Sequence, residues 1–252
     1  MDLKLENKVA LITGASKGIG KAIALVFAEQ GAKVAVNYHN SEKQAKGVEQ
    51  QIKAMGREVC LVQADVSNAE EIESMIQKIV NKYGRIDILV NNAGIFPRKA
   101  FLEYDSQTFD KVLGTNLKSM FFCSQAVAKQ MLNQENGLII NIASDAGITP
   151  KNNKGIPYGL SKSGMIYLSK CLSLTLAPKI RVNCIAPGYT ETDMTLYLKD
   201  SEIRKEIEAK IPSGRVNQPK DIADLALSIV SDYQDTGKTY TICGGDIRTL
   251  ED

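Results

Sequence analysis

Tyr158 and Lys162 lie four residues apart in Tyr158-Gly-Leu-Ser-Lys162, so on a helix they share one face. A free phenol ionises near pH ~10, and a neighbouring ammonium favours the phenolate, so such a pair is suited to moving a proton at a substrate oxygen. The spacing alone is common and equally describes a packed tyrosine beside a lysine reaching for solvent. Its surroundings favour chemistry. Ser144 closes the apolar run 138–143, and a serine at the carboxyl end of a strand can hydrogen-bond a carbonyl and turn it toward Tyr158. His39 is the only histidine. Neither a Ser-His-Asp hydrolase nor a two-histidine metal site can be assembled, and no metal is expected.

A second constellation is Thr13-Gly14-Ala15-Ser16-Lys17-Gly18-Ile19-Gly20, set between a short apolar run and an apolar helical segment. Glycines there permit a tight turn, close approach of backbone to a pyrophosphate, and tight packing of helix on strand. The next apolar run ends Val34-Ala35-Val36-Asn37-Tyr38-His39. It lacks the carboxylate that binds a ribose 2'-hydroxyl and repels a 2'-phosphate, and His39 and Ser41 can bond a phosphate instead.

The elements that must position these groups alternate. Short β-branched runs at 9–13, 33–37, 58–63, 86–91, 138–143, 180–185 and 239–243 are separated by helical patterns at 19–30, 41–55, 69–82, 106–132, 158–176 and 220–231. That alternation predicts an α/β, Rossmann-type doubly wound parallel sheet of about seven strands with helices on both faces. No linker-like composition divides the chain, so residues 1–252 are expected to form a single domain. Residues 187–215, with one helical segment at 200–210, follow the sixth strand and form a candidate substrate lid, because ligands in such sheets sit beyond the carboxyl ends of the strands.

The 252 residues carry 31 basic and 29 acidic side chains without a basic block, which argues against nucleic acid as a partner. No apolar stretch approaches the ~20 residues of a membrane span, and the amino-terminal segment lacks the pattern of a secretory signal. The five cysteines, 60, 123, 171, 184 and 243, are far apart and never form a CxxC pair. They suit free thiols in a reducing compartment, and a cytoplasmic location is expected.

The TGxxxGxG turn, Asn91-Asn92-Ala93-Gly94 after the fourth strand, and YxxxK at a helix start occur here in one order. Together they resemble the short-chain dehydrogenase/reductase family, over essentially the whole chain. The resemblance implies reduction of a ketone, with a hydride from a nicotinamide and a proton from Tyr158. Asn116, Ser144, Tyr158 and Lys162 match the family's catalytic positions; Asn116 bends its helix and holds a water leading to Lys162, and Lys162 also bonds the nicotinamide ribose. Lys17 stands where members that use NADP place a basic residue, so NADP(H) is expected over NAD(H). The implied cofactor site comprises Gly14, Ser16, Lys17, Gly18, Ile19, Gly20, Tyr38, His39, Ser41, Asp65, Val66, Asn92, Ala93, Gly94, Tyr158, Lys162, Pro187, Gly188, Thr190 and Thr192. Asp65 is placed at the adenine, while Pro187, Gly188 and Thr190 belong to a turn that cups the nicotinamide. A homotetramer built on segments 106–132 and 158–176 is implied as well.

Within the family, residues 186–195 and 211–215 resemble members that reduce 3-oxoacyl thioesters borne on acyl carrier protein. Lys179 matches a basic docking position for that acidic carrier, whereas Glu135 reverses the charge at another and counts against docking. Two other readings stay open: a dehydrogenase of a sugar, polyol or small xenobiotic ketone, and a non-enzymatic binding protein on the same fold.

Overall fold

In a computed structural model, residues 4–134, 136–150 and 154–245 are described. Seven parallel strands form one sheet: β1 (Val9–Ile12), β2 (Lys33–Tyr38), β3 (Val59–Gln63), β4 (Ile88–Asn91), β5 (Gly137–Ile142), β6 (Ile180–Pro187) and β7 (Thr239–Ile242). Their order is β3-β2-β1-β4-β5-β6-β7, which reverses direction between β1 and β4. Both faces are covered, so alternate residues of each strand enter different cores. Ala10, Ile12, Ile88 and Val90 face one side, with Ile23 and Phe27 of α1 (Gly18–Glu29), Val48 and Ile52 of α2 (Glu42–Ala54) and Ile222 and Ile229 of α8 (Pro219–Ser231). Val9, Leu11 and Leu89 face the other, with Ile72 and Ile79 of α3 (Ala69–Tyr83) and Val127 and Met131 of α5 (Ser119–Asn133).

Helix starts follow local chemistry. Asn68 caps α3 by accepting from the Glu70 and Glu71 amides, and Asp105 caps α4 (Ser106–Leu113) by accepting from Thr108 N at 2.6 Å. The single helix expected over 106–132 is broken. A π-turn, Gly114–Lys118, separates α4 from α5 and turns Asn116 inward, where it is fully buried. The cause is long-range: Asn116 Oδ1 accepts from Ile95 N at 2.8 Å, and its Nδ2 donates to Ile95 O at 3.1 Å and Ser161 Oγ at 3.0 Å. A wider turn brings the amide within reach of all three.

After β5 a short 3-10 turn leads to α6 (Ile156–Leu176), whose first turn carries Tyr158. The segment after β6 holds more structure than its sequence suggests. A kinked 3-10 stretch, Asp193–Lys199, precedes α7 (Ser201–Glu208), and the two pack around a small core of Leu198, Ile211 and Val216 with Tyr189, Tyr197 and Ile207. Among the described residues no helix is long and apolar enough to cross a membrane, and no cluster of metal-ligating side chains occurs.

Phe27 is fully buried between α1 and the sheet. Phe27→Ala is therefore expected to lower the unfolding free energy by about 3–5 kcal/mol, read from the midpoint of a urea titration followed by circular dichroism.

Candidate active site

The carboxyl end of β1 runs into the glycine turn. Gly14 (φ +60°) and Gly18 (φ +56°) occupy the left-handed region, and a Cβ on Gly14 would stand 2.9 Å from Ala93 Cα. Two side chains hold this turn. Asn37 Oδ1 accepts from Gly14 N at 3.1 Å while its Nδ2 donates to Val62 O and Ala64 O; Thr13 Oγ1 accepts from the amides of Asn92 and Ala93, each at 3.0 Å. Asn37 and Thr13 are functional positions missed in the sequence, because both occur there as ordinary strand ends.

Over the turn lies a cavity of about 680 Å³ that runs from His39, Ser41, Asp65 and Val66 at one end to Tyr158 and Lys162 at the other. Gly14, Ser16, Lys17, Gly18, Ile19, Tyr38, Asn92, Ala93, Gly94 and Thr192 also line it. Unanticipated lining residues are Asn40, Ser67, Asp110, Lys111 and Thr115, with Asp193 and Met194 from the segment after β6. The Lys17 ammonium is 3.3 Å from Asp193, across the cavity mouth, and His39 Nδ1 is 3.9 Å from Asp65. Asp65 is not the cap of α3; its Oδ1 instead accepts from Ser67 N and Ser67 Oγ.

Four expected contact positions stand behind the cavity wall. Gly20 packs against the turn, where a Cβ would be 2.7 Å from Gly14 O. Pro187 ends β6, and Gly188 abuts Cys243, whose Cα would lie 2.9 Å from an added Cβ. Thr190 is buried, with its Oγ1 donating to Gly188 O at 3.0 Å.

At the inner end, Lys162 is buried, and its Nζ donates to Ile142 O at 2.7 Å and lies 5.5 Å from the centre of the Tyr158 ring. Burial pushes its pKa down to about 8. Burial likewise pushes the Tyr158 hydroxyl up to about 12, opposed by a hydrogen bond from Ser144 and reinforced by the charge of Asp145. Desolvation is the largest influence on the phenol in this state. Ser144 is the cap of the 3-10 turn: its Oγ accepts from Ala146 N and donates to Asp145 Oδ1, each at 3.2 Å. Asn116 reaches Tyr158 through Ser161, whose Oγ donates to Tyr158 O at 2.7 Å. That relay is not visible in the sequence.

Beyond the ring of Tyr158, which meets Phe96 at a centroid distance of 4.5 Å, lies a second cavity of about 340 Å³. Ala146, Ile148, Pro150, Ile156 and Leu160 give it largely apolar walls. Lys179 is elsewhere. It precedes β6, roughly 25 Å along that eight-residue strand from Pro187 at ~3.3 Å per residue, so within one chain it does not stand at the site mouth as a docking residue there would. Glu135 lies outside the described residues, as does the chain after Gly245.

A parallel sheet with a glycine turn after its first strand, and a serine, tyrosine and lysine converging beyond its fifth, defines a dinucleotide-dependent oxidoreductase of the Rossmann type. Residues 8–203 match the short chain dehydrogenase family, and the chain belongs to that family; it is an oxidoreductase acting between CH–OH and C=O. It is 41% identical over 242 residues to the 3-oxoacyl-[acyl-carrier-protein] reductase of Staphylococcus aureus, covering 95% of this chain and 98% of that one. The corresponding reductase of Synechocystis is 40% identical over 245 residues, with 96% and 97% covered. Among solved structures, a short-chain type dehydrogenase/reductase from Mycobacterium marinum superposes with a TM-score of 0.92 at 35% identity, covering 98% of each chain. A gluconate 5-dehydrogenase from Burkholderia cenocepacia in complex with NADP and tartrate gives 0.91 at 30% identity, covering 97% of each.

The residues present fit a dinucleotide, since the glycine cradle is one that a Cβ at position 14 would fill. Gly14→Ala is expected to weaken NADPH binding about tenfold or more, from the ~1–2 kcal/mol cost of left-handed backbone in a non-glycine residue plus the contact with Ala93. A fluorescence titration measures this, with an unchanged circular dichroism spectrum as control.

Proposed function

We propose that the protein is an NADPH-dependent reductase that converts a 3-oxoacyl thioester to the 3-hydroxyacyl form, acting in the cytoplasm in fatty acid synthesis. The observation that carries this reading is the meeting of Tyr158 and Lys162 at one end of a dinucleotide-sized cavity, with Ser144 next to Ala143 of its lining and hydrogen-bonded to Tyr158. When bound, the dinucleotide supplies the hydride. Gly14, Gly18 and Thr192 would hold its diphosphate, Asp65 and Val66 its adenine, and Lys17, His39 and Ser41 its 2'-phosphate. Asn116, Ser144, Tyr158 and Lys162 are the proposed catalytic set. Tyr158 delivers its hydroxyl proton to the carbonyl oxygen as that oxygen becomes alkoxide-like, and Ser144 fixes that oxygen beside it. Lys162, whose charged form is disfavoured by burial, can pass a proton back to Tyr158, with Asn116 and Ser161 holding the backbone around it.

The choice of an acyl thioester is supported by the two reductases at about 40% identity and by the apolar cavity behind Tyr158. An acyl chain suits those walls, whereas the hydroxyls of a sugar or polyol would lose hydrogen bonds against them. We assign residues 187–215 as the lid of a single domain. Arg98, stacked 4.2 Å over the Tyr197 ring, ties this segment to the loop after β4, and the Arg204–Glu191 ion pair at 3.0 Å braces it internally. Docking of acyl carrier protein and assembly as a homotetramer belong to the same proposal.

The direct test follows NADPH absorbance with acetoacetyl thioesters on acyl carrier protein and on pantetheine. Turnover of either supports the reading; NADPH binding without turnover of either refutes the thioester substrate. Tyr158→Phe should keep NADPH affinity within about threefold and lower kcat by about two orders of magnitude, as for loss of a general acid. Lys17→Glu should lower the preference for NADPH over NADH by about tenfold in kcat/KM, because a charge-assisted phosphate contact becomes repulsive. An unchanged ratio would place Lys17 outside the phosphate site.

A further inference from the structure

Asp145 follows the proposed catalytic serine and is buried, with a relative exposure of 9%. Its Oδ1 accepts the Ser144 hydroxyl at 3.2 Å, while its Oδ2 faces the turn after β6, 3.2 Å from where a Cβ on Gly188 would stand. A serine hydroxyl carries one proton. With that proton drawn to Asp145, and to Pro187 O at 3.5 Å, Ser144 Oγ accepts from the Ala146 amide and has less to donate to a Tyr158 phenolate. The carboxylate thus lies one hydroxyl removed from the phenol, in a region screened from water.

Charged and titratable groups approach Tyr158 from each element packed on it. Lys162 lies on α6 itself, Ser144 and Asp145 arrive from the end of β5, Phe96 comes from the loop after β4, and Tyr197 comes from the segment after β6 with Arg98 over its ring. Asp145 is the anion of this set. Its charge raises the pKa of both Tyr158 and Tyr197.

Resting on the reductase reading above, we propose that Asp145 is a positioning residue that sets the pH range of the reaction: acting through Ser144, its carboxylate holds Tyr158 in the protonated form. In reduction, the carbonyl carbon gains a hydride from NADPH, which becomes NADP+, and the oxygen gains the Tyr158 proton, which Tyr158 recovers from solvent. Oxidation of the alcohol reverses each transfer and requires Tyr158 as phenolate. A negative charge behind Ser144 opposes that ionised form, so it moves to higher pH both the limb on which oxidation rises and the limb on which reduction falls.

Asp145→Asn keeps the shape and an acceptor for Ser144 but removes the charge. The pH profiles of 3-hydroxyacyl thioester oxidation with NADP+ and of the reverse reduction are compared with those of the unaltered enzyme. Loss of the charge should move the rising limb of oxidation and the falling limb of reduction down together by about one pH unit. The ratio of the two kcat/KM values at any one pH, fixed by the overall equilibrium, should stay unchanged while both limbs move. Asp145→Ser, a second neutral variant, should move both limbs the same way. A substrate-independent readout is the 13Cζ signal of Tyr158 in tyrosine-labelled protein, assigned by its absence in Tyr158→Phe; in Asp145→Asn it should titrate about one pH unit lower. Coincident titrations in the variant and the unaltered enzyme would overturn the proposal. If no protein turns over the thioester, that substrate assignment fails, and the 13C titration still decides the role of Asp145.

Discussion

An ammonium group buried beneath a tyrosine must find hydrogen-bond acceptors in the protein, and Lys162 finds one in the carbonyl of Ile142. Ile142 is the last residue of β5, and Lys162 lies one and a half turns into α6. The bond therefore fixes the distance between the strand that leads into Ser144 and the helix that carries Tyr158. Its neighbours are small because space is short. A Cβ on Gly94 would lie 3.3 Å from Asn116 Oδ1 and 3.7 Å from Lys162 Nζ, and one on Gly147 would lie 2.6 Å from the Lys162 carbonyl carbon. The 3-10 turn bearing Asp145 can approach α6 only through such a glycine. The alignment of serine, tyrosine and lysine thus depends on how closely β5 and α6 meet at this one charge.

A layer of buried amides below the site makes that meeting reproducible. Asn91 Nδ2 donates to Asn141 Oδ1 at 2.8 Å and to Ser124 Oγ at 3.0 Å, and Asn141 Nδ2 donates to Ser169 Oγ at 2.9 Å. Asn91 and Asn141 are register partners on β4 and β5, so the ladder ties two strands to α5 and α6 at one level. A shift of either helix would leave a buried amide unpaired, at a cost of about 1–3 kcal/mol. Apolar packing alone tolerates small slides; this layer does not, and the groups just above it inherit its precision.

The sheet was legible in the sequence because most of its strands, β1, β4 and β5 above all, are buried on both faces and read as short apolar, β-branched runs, while the crossover helices between them are amphipathic. The site's dominant residues were legible for a related reason: Gly14, Tyr158 and Lys162 obey local spacing rules that a turn or a single helix face imposes. What escaped depends on contacts distant in sequence. The apolar pattern over 106–132 carries no sign of a break, and only the family resemblance put a bend at Asn116, because the π-turn rests on bonds from Asn116 to Ile95 and Ser161, both distant in sequence. Asn37 ends a strand like any polar residue until the fold brings Gly14 N to it. Thr190 has a plausible hydroxyl for a ligand, yet the fold turns it back to Gly188 O. Lys179 resembles a docking residue in a motif, but β6 carries it to the opposite end of the sheet.

Asn37 also bears on the choice of nicotinamide. The end of β2 is where a carboxylate would discriminate against a 2'-phosphate, and here that side chain is engaged three ways with Gly14 N, Val62 O and Ala64 O. An amide serves this brace better than a carboxylate, because it donates to two carbonyls that an anion would repel. The brace that shapes the glycine turn therefore removes negative charge from the rim of the cavity. Under the NADPH assignment proposed above, discrimination would pass to Lys17 and His39, each of which already faces an acid, Asp193 and Asp65. Both pairs are exposed and so only weakly coupled in water. A doubly charged phosphate is a stronger partner for Lys17 than one carboxylate, and moving the lysine to it would leave Asp193, at the start of the segment after β6, without its ion pair. The proposed phosphate contact would thus link cofactor binding to the position of that segment through Lys17.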